Sequence, residues 1–243
     1  MLRVVIFEHA ENCHAGTFAG HLLADGFEPQ VVRLYRGDPI PDLDGFDILM
    51  AMGGPMEVWQ ENIYPWLREE KAAIRAWVGE RDRPYLGVCL GHQLLADALG
   101  GTVGPAEVGE MNLLDIELSE EGRKHPLYDG FGETKRGVQW HLTEVKTMPQ
   151  GAVRLASTNH CPIAAFAYGS SAFGLQYHVE ATDQSVLDWS VGQLGEDAFR
   201  RLPPLGDRGV LRRRVSEAFA ELLGNSRRLY DNFMRIAAMR YAC

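Results

Sequence analysis

Three short stretches hold the side chains with the most chemical potential. Gly87-Val88-Cys89-Leu90-Gly91 sets a cysteine between two glycines, after an apolar run and before a helical pattern. A strand-to-helix turn of the form G-x-nucleophile-x-G holds its central residue in a strained backbone conformation. Glycines on either side let the chain reverse and the helix approach closely. Cys89 would then stand at the carboxyl edge of a sheet, where open α/β folds bind ligands. It would also sit at a helix N-terminus, whose dipole favours a thiolate, with the N–H of Leu90 facing the place of an oxyanion. A cysteine closing a buried strand is also commonly a small apolar packing residue, and the local pattern leaves both readings open.

A thiol nucleophile needs a base and a group that orients the base. In Gly-Leu-Gln-Tyr-His-Val-Glu, residues 174–180, His178 ends a strand-like run and Glu180 follows two residues later. Residues i and i+2 of a regular strand share a face, so Glu180 can hold the far nitrogen of His178 and stabilise the imidazolium. A histidine by itself is more often structural; this pair is more specific. The third stretch is Gly53-Gly54-Pro55, a turn after the apolar residues 46–52. Its bare N–H groups can cradle a carbonyl oxygen or a carboxylate, although most Gly-Gly turns are only turns.

The elements that must position these residues follow from periodicity. Apolar, β-branched runs at 3–7, 29–35, 46–55 and 83–89 read as strands, and 15–26, 64–80 and 91–101 as helices. In 64–80, Pro65 suits the first turn. Trp66/Leu67, Ala73/Ile74 and Trp77/Val78 make one apolar face, so both tryptophans read as core. In 91–101 the inward stripe is Leu94, Leu95, Ala98 and Leu99. This alternation indicates an α/β fold with a mostly parallel central sheet and helices on both faces. Short strand-like runs at 111–118, 136–145, 152–160, 162–169 and 171–180 predict additional, partly antiparallel strands. Residues 183–243 read as a helical C-terminal extension, with helices at 182–195, 208–224 and 226–242 and a break at 202–206. The whole of 1–243 reads as one domain, since no Ser/Gly/Pro-rich linker divides it.

Composition narrows the classes. The formal net charge of −9 argues against a general nucleic-acid binder. Residues 183–243 carry ten Lys/Arg against eight Asp/Glu, a mildly basic tail that reads as a solvated helical face. The four cysteines show no CxxC and no paired spacing, which indicates neither a zinc site nor a disulfide framework. Reduced thiols in a cytoplasmic setting fit this pattern. Cys13, Cys161 and Cys243 read as packing, and His9, His14, His21, His92, His125 and His160 show no metal-ligand spacing. No apolar run approaches the ~20 residues of a membrane span.

Taken together, the Gly53–Pro55 turn, GVCLGHQLLADALGG (87–101) and YGSSAFGLQYHVEAT (168–182) closely resemble the class I glutamine amidotransferases. The likeness is to the free-standing branch similar to the amidotransferase domain of GMP synthase. YPWLREEKAAIRAWV and RRLYDNFMRIA extend it over nearly the whole chain. The resemblance implies a flavodoxin-like fold and a triad of Cys89 as nucleophile, His178 as acid/base and Glu180 as orienter. It implies an oxyanion hole from the backbone N–H groups of Gly54 and Leu90, and substrate contacts from Gly53, Gln93 and His141. Hydrolysis of the side-chain amide of L-glutamine through a glutamyl thioester would follow, with no cofactor or metal, and with the ammonia passed to a synthase subunit in trans. Two departures bear on this. Where the branch commonly has Trp-His-Gly-Asp, this chain has Trp140-His141-Leu142-Thr143. It also carries neither an SGGxDS loop nor a G-x-x-x-x-G-K-[ST] loop. Both leave room for a γ-glutamyl hydrolase or peptidase using the same triad.

Overall fold

A computed structural model describes residues 2–132, 135–190 and 208–241. Its centre is an eight-stranded sheet. The strands are β1 (Val4–Glu8), β2 (Gln30–Arg33), β3 (Ile48–Ala51), β4 (Tyr85–Val88), β6 (Glu117–Leu118), β8 (Val153–Ser157), β9 (Ala165–Tyr168) and β10 (Ala172–Leu175). The order is β2-β1-β3-β4-β10-β9-β8-β6. The first five strands pair in parallel and the last three antiparallel. A separate antiparallel ribbon joins β5 (Thr102–Asp115) to β7 (Arg136–Thr147).

The sheet is apolar on both faces because its strands are. Along β1, Val4 and Ile6 pack with Phe18 and Leu22 of α1 (Gly16–Ala24), while Val5 and Phe7 pack with Leu67 and Ile74 of α2 (Trp66–Ile74) and with Leu90 and Leu94 of α3 (Leu90–Ala98). This is the period-2 alternation of a strand buried on both sides. A short α4 (Glu120–Lys124) follows β6. The later helices are α5 (Asp183–Ser190), α6 (Arg208–Glu217) and α7 (Phe219–Met239). Leu229, Tyr230 and Phe233 of α7 join the α1 face of the core.

Several expectations are adjusted. α3 does not bury a stripe: every residue from Leu90 to Ala96 is buried, because the helix is covered by both the sheet and the ribbon. Within the expected helix 64–80, α2 gives way to a π-helical turn over Arg75–Glu80. Trp77 is core, its indole N–H on the Pro84 carbonyl at 2.8 Å, whereas Trp66 is half-buried. The helix expected over 208–224 breaks at Ala218, and α7 then runs unbroken through Gly224 and Asn225. The ribbon strand β5 begins nine residues before the predicted strand at 111. Its early part carries Gly104, Pro105 and Gly109, and the pairing shifts register between Pro105 and Glu110. The break expected at 202–206, and the end of the helix expected over 182–195, lie outside the described residues. Among the described residues no helix is long and apolar enough to cross a membrane.

Candidate active site

The carboxyl ends of β1, β3, β4 and β10 meet at one edge of the sheet, beside the β1/β3 point where the strand order reverses. Ligands of such sheets bind there. Cys89 follows β4 directly and takes φ +52°, ψ −102°, a left-handed conformation that a side chain makes costly. Its neighbours impose that conformation. A Cβ on Gly91 would lie 2.1 Å from the Ala51 carbonyl oxygen, and one on Gly87 2.5 Å from the Gly91 backbone. Hydrogen bonds lock the turn: Cys89 N–H to Leu175 O at 2.8 Å, Gly91 N–H to Met52 O at 3.1 Å and Tyr85 O–H to Gly91 O at 2.8 Å.

His178 and Glu180 arrive by a route different from the one expected. β10 stops at Leu175, so the two residues are not on a regular strand. Instead His178 makes an isolated bridge to Val138 of β7, with N···O distances of 2.8 and 3.3 Å. The Glu180 carbonyl accepts from the N–H and hydroxyl of Thr17 in the first turn of α1, at 3.0 and 3.2 Å. The side chains nevertheless meet: His178 Nδ1 lies 2.7 Å from Glu180 Oε1, and the imidazole and the Cys89 side chain both border Gly53. Burial alone would push the imidazole pKa down. The Glu180 carboxylate and the sulfur overcome that and hold it up at about 10. The three residues are 7%, 5% and 2% exposed.

Gly53 and Gly54 close the opposite wall. A Cβ on Gly53 would lie 3.1 Å from His178 Cε1 and 3.6 Å from Cys89 Cβ. One on Gly54 would lie 2.8 Å from both Leu90 Cδ2 and His9 Cβ. Side chains are excluded at both positions. The N–H groups of Gly54 and Leu90 donate to no acceptor among the described residues.

Gln93 and His141 are near the site but already engaged. Gln93 Nε2 donates to Thr143 O at 2.9 Å and to Gln176 Oε1 at 3.1 Å, which leaves its carbonyl oxygen for a ligand. His141 has both ring nitrogens taken, Nε2 by Glu110 at 3.1 Å and Nδ1 by Thr143 O at 3.1 Å. A substrate contact at His141 would therefore not come from its ring nitrogens, neither of which is free. The main chain of this segment reaches Cys89 instead, with the Trp140 carbonyl 3.9 Å from its Sγ. Glu110, His141 and Cys161 gather donor atoms within 4.8 Å of one another, a set able in principle to take a metal ion. Both Glu110 oxygens are already hydrogen-bonded, to His141 and to Thr158 Oγ1 at 2.7 Å, which makes a satisfied buried network.

Sequence reasoning missed four contributors. Gln176 donates to Cys89 Sγ at 3.7 Å; a polar side chain just past an apolar strand, two residues before His178, was the signal. Trp189 of α5 packs on His178 with ring centroids 4.4 Å apart. His9 and Glu70 form a buried pair beside Gly53. The acid at position 70, on the α2 face between Leu67 and Ile74, was legible as an anomaly in that apolar stripe.

Comparison with known proteins settles the family. The glutamine amidotransferase class-I family matches residues 18–186, well over half the chain. The chain belongs to the class I glutamine amidotransferases. It is 32% identical over 189 residues to the glutamine amidotransferase-like protein YfeJ of Salmonella typhimurium, covering 76% of this chain and 78% of that one. It is 37% identical over 110 residues to a subunit of the glutamine-hydrolysing GMP synthase of Thermococcus kodakarensis, covering 45% of this chain and 57% of that one. The crystal structure of a glutamine amidotransferase from Methylobacillus flagellatus superposes with a TM-score of 0.85 at 25% identity, over 97% of this chain and 95% of that one. Membership makes this an enzyme of the class I glutamine amidotransferase family and accounts for the mixed α/β sheet with its C-terminal helices.

Proposed function

We propose that the chain hydrolyses the side-chain amide of L-glutamine, with Cys89 as nucleophile, His178 as acid/base and Glu180 as its orienter. The observation that carries this is the strained Cys89 sharing the Gly53 wall with an imidazole whose Nδ1 lies 2.7 Å from a carboxylate. The thiolate adds to the amide carbon, and the N–H groups of Gly54 and Leu90 receive the oxyanion. His178 gives its proton to the leaving nitrogen, ammonia departs and a glutamyl thioester remains. The now neutral imidazole takes a proton from water, the hydroxide adds to the thioester and glutamate leaves as the thiolate is restored. Glu180 holds the Nδ1–H throughout and stabilises the imidazolium at both proton transfers. Gln176 donates to the sulfur, the Gln93 carbonyl oxygen accepts from the substrate's amino group, and Gly53 lines the wall facing Cys89.

Ammonia then passes to an acceptor, and the likeness to one subunit of a GMP synthase supports a synthase partner bound in trans. One observation favours a second reading. Leu142, where the branch commonly has glycine, stands two residues from the Trp140 carbonyl that lies 3.9 Å from Cys89 Sγ. A γ-glutamyl conjugate with a larger leaving group would use the same triad. The test is ammonia and glutamate release from L-glutamine by wild type and Cys89→Ala, beside a panel of γ-glutamyl amides. Glutamine turnover that disappears with Cys89 supports the first reading. Inert glutamine with a cleaved conjugate supports the second, and cleavage that survives Cys89→Ala removes both.

A further inference from the structure

His9 and Glu70 form a buried ion pair next to the nucleophile with no part in the proton transfers above. His9 follows β1, Glu70 lies on α2, and neither side chain reaches solvent. His9 Nε2 lies 2.9 and 3.1 Å from the two Glu70 oxygens, and Nδ1 lies 3.1 Å from the Gly53 carbonyl oxygen. Both ring nitrogens face acceptors. A neutral imidazole has one N–H, so the arrangement in which both contacts are hydrogen bonds is an imidazolium against a carboxylate. Trp66 stacks on the ring at 5.6 Å and 19°, which fixes its plane. Burying two charges is a poor way to stabilise a fold, because desolvation offsets most of the attraction. The placement of this pair points to something it positions.

What it holds is one particular peptide. The carbonyl of Gly53 and the N–H of Gly54 belong to the same planar unit, and in a trans peptide they point to opposite sides. A carbonyl anchored on His9 turns the Gly54 N–H away from His9. Gly53 itself is bounded on the other side by Cys89 and His178. With glycine at 53 and 54, no Cβ on either side of that peptide resists a flip. A charged donor on the carbonyl also polarises the N–H of the same unit toward stronger donation.

We propose that His9, held by Glu70, is a positioning residue for the oxyanion hole, pinning the Gly53 carbonyl so that the Gly54 N–H stays aimed at the developing oxyanion in the chain alone. This rests on the amide-hydrolysis reading and adds to it that the hole is preformed before any partner binds. His9 touches no substrate atom and acts through the peptide.

The test uses His9→Gln and Glu70→Gln in the full chain, with two reactions of the same sulfur. Amide hydrolysis builds an oxyanion; alkylation of Cys89 by iodoacetamide expels iodide and builds none. The expected result is a kcat lower by about 10²-fold with KM changed by less than about threefold, and an alkylation rate close to wild type. Hydrolysis that is unchanged, or alkylation that falls in step with it, overturns the proposal. If wild type hydrolyses neither glutamine nor a γ-glutamyl amide, the amide-hydrolysis reading has failed by itself. Crystal structures of wild type and the two variants then judge the clamp: a flipped or doubly oriented Gly53–Gly54 peptide in the variants supports it, and an unmoved one overturns it. If neither variant folds, nitrogen NMR of the wild-type histidines decides, since a His9 ring without a proton on Nδ1 removes the clamp and one with it supports the clamp.

Discussion

The proposed nucleophile and its proposed acid/base partner are held by two regions built on opposite principles. Cys89 sits in the central parallel sheet, and backbone contact fixes it: Gly91 against Ala51, Gly87 against Gly91, and hydrogen bonds to Leu175 and Met52. His178 sits past the end of β10, held by one bridge to the ribbon strand β7, by Glu180, and by the Trp189 ring of α5. A small apolar cluster of Met111, Leu113, Val138, Val186, Trp189, Leu211 and Val215 ties the ribbon to α5 and α6. One half of the site is thus crowded into place by main chain, and the other is supported by side-chain packing on a covering layer. It follows that the elbow should tolerate almost no change at its glycines. The acid/base half should respond to substitutions well away from the sulfur.

The largest effect comes from removing the proposed nucleophile. Cys89→Ala should lower hydrolysis by about 10⁶-fold, to background, while leaving the fold intact. Folding is checked by circular dichroism, and a chain that still releases ammonia would move the chemistry away from the elbow. Glu180→Gln comes next, at about 10³-fold in kcat, because the imidazole loses its orienter and the stabiliser of its charged form. Its signature is in pH. The folded value for His178, about 10, lies above the ordinary ~6.5. The stabilisation from the charged pair is therefore complete below the ordinary value and lost as pH rises through about 10. The alkaline limb of kcat/KM should lie near there in wild type and at lower pH in Glu180→Gln, where one of the two groups that raise the imidazole is gone. An alkaline limb at the same pH in both proteins would show that Glu180 does not set the charge on His178.

The same contrast explains what could be read from sequence. The elbow was legible because backbone crowding demands glycine, so its requirements are written as residue types at fixed spacing. The first half of the sheet was legible for a related reason, since buried parallel strands such as 3–7 are continuous apolar runs. The His178–Glu180 contact was anticipated, but on the wrong ground: β10 ends at Leu175, and the two side chains meet through an irregular segment. β5 was half hidden by its glycines and its proline, which read as loop because they weaken a strand, whereas here they mark a register shift. Trp189 and His9 were invisible as site residues because their roles come from contacts between elements far apart in the chain. His141 was placed near the substrate by resemblance, yet Glu110, thirty-one positions away, takes its Nε2.

Trp189→Ala probes the covering layer at a smaller scale. The substitution removes a ring 4.4 Å from His178, a ring contact with Trp140 at 5.7 Å, and the indole N–H bond to the Asn12 carbonyl at 2.9 Å. It should lower kcat by about tenfold, in line with a mispositioned catalytic group. Hydrogen exchange separates the two regions. Amides of β5, β7 and α5 should exchange faster, while those of β4 and α3 keep wild-type protection. Uniformly faster exchange would mean that ribbon and sheet open as one unit, and the two halves of the site would then share a single support.

The smallest effect isolates the strain itself. Cys89→Ala and Cys89→Gly both lack the sulfur, so both are inactive, and they differ in one respect. Alanine keeps a Cβ at φ +52°, ψ −102°, whereas glycine occupies that region without steric cost. If the elbow holds its residue against an intrinsic preference, Cys89→Gly should be more stable than Cys89→Ala by about 1 kcal/mol. That figure is a strain of ~1–3 kcal/mol less the extra chain entropy that glycine loses on folding. Denaturant titration of the pair reads the difference directly. A glycine variant no more stable than the alanine variant would mean that the turn is relaxed as built. The glycines at 87 and 91 would then serve only to let the helix approach, and backbone crowding would position Cys89 without storing strain in it.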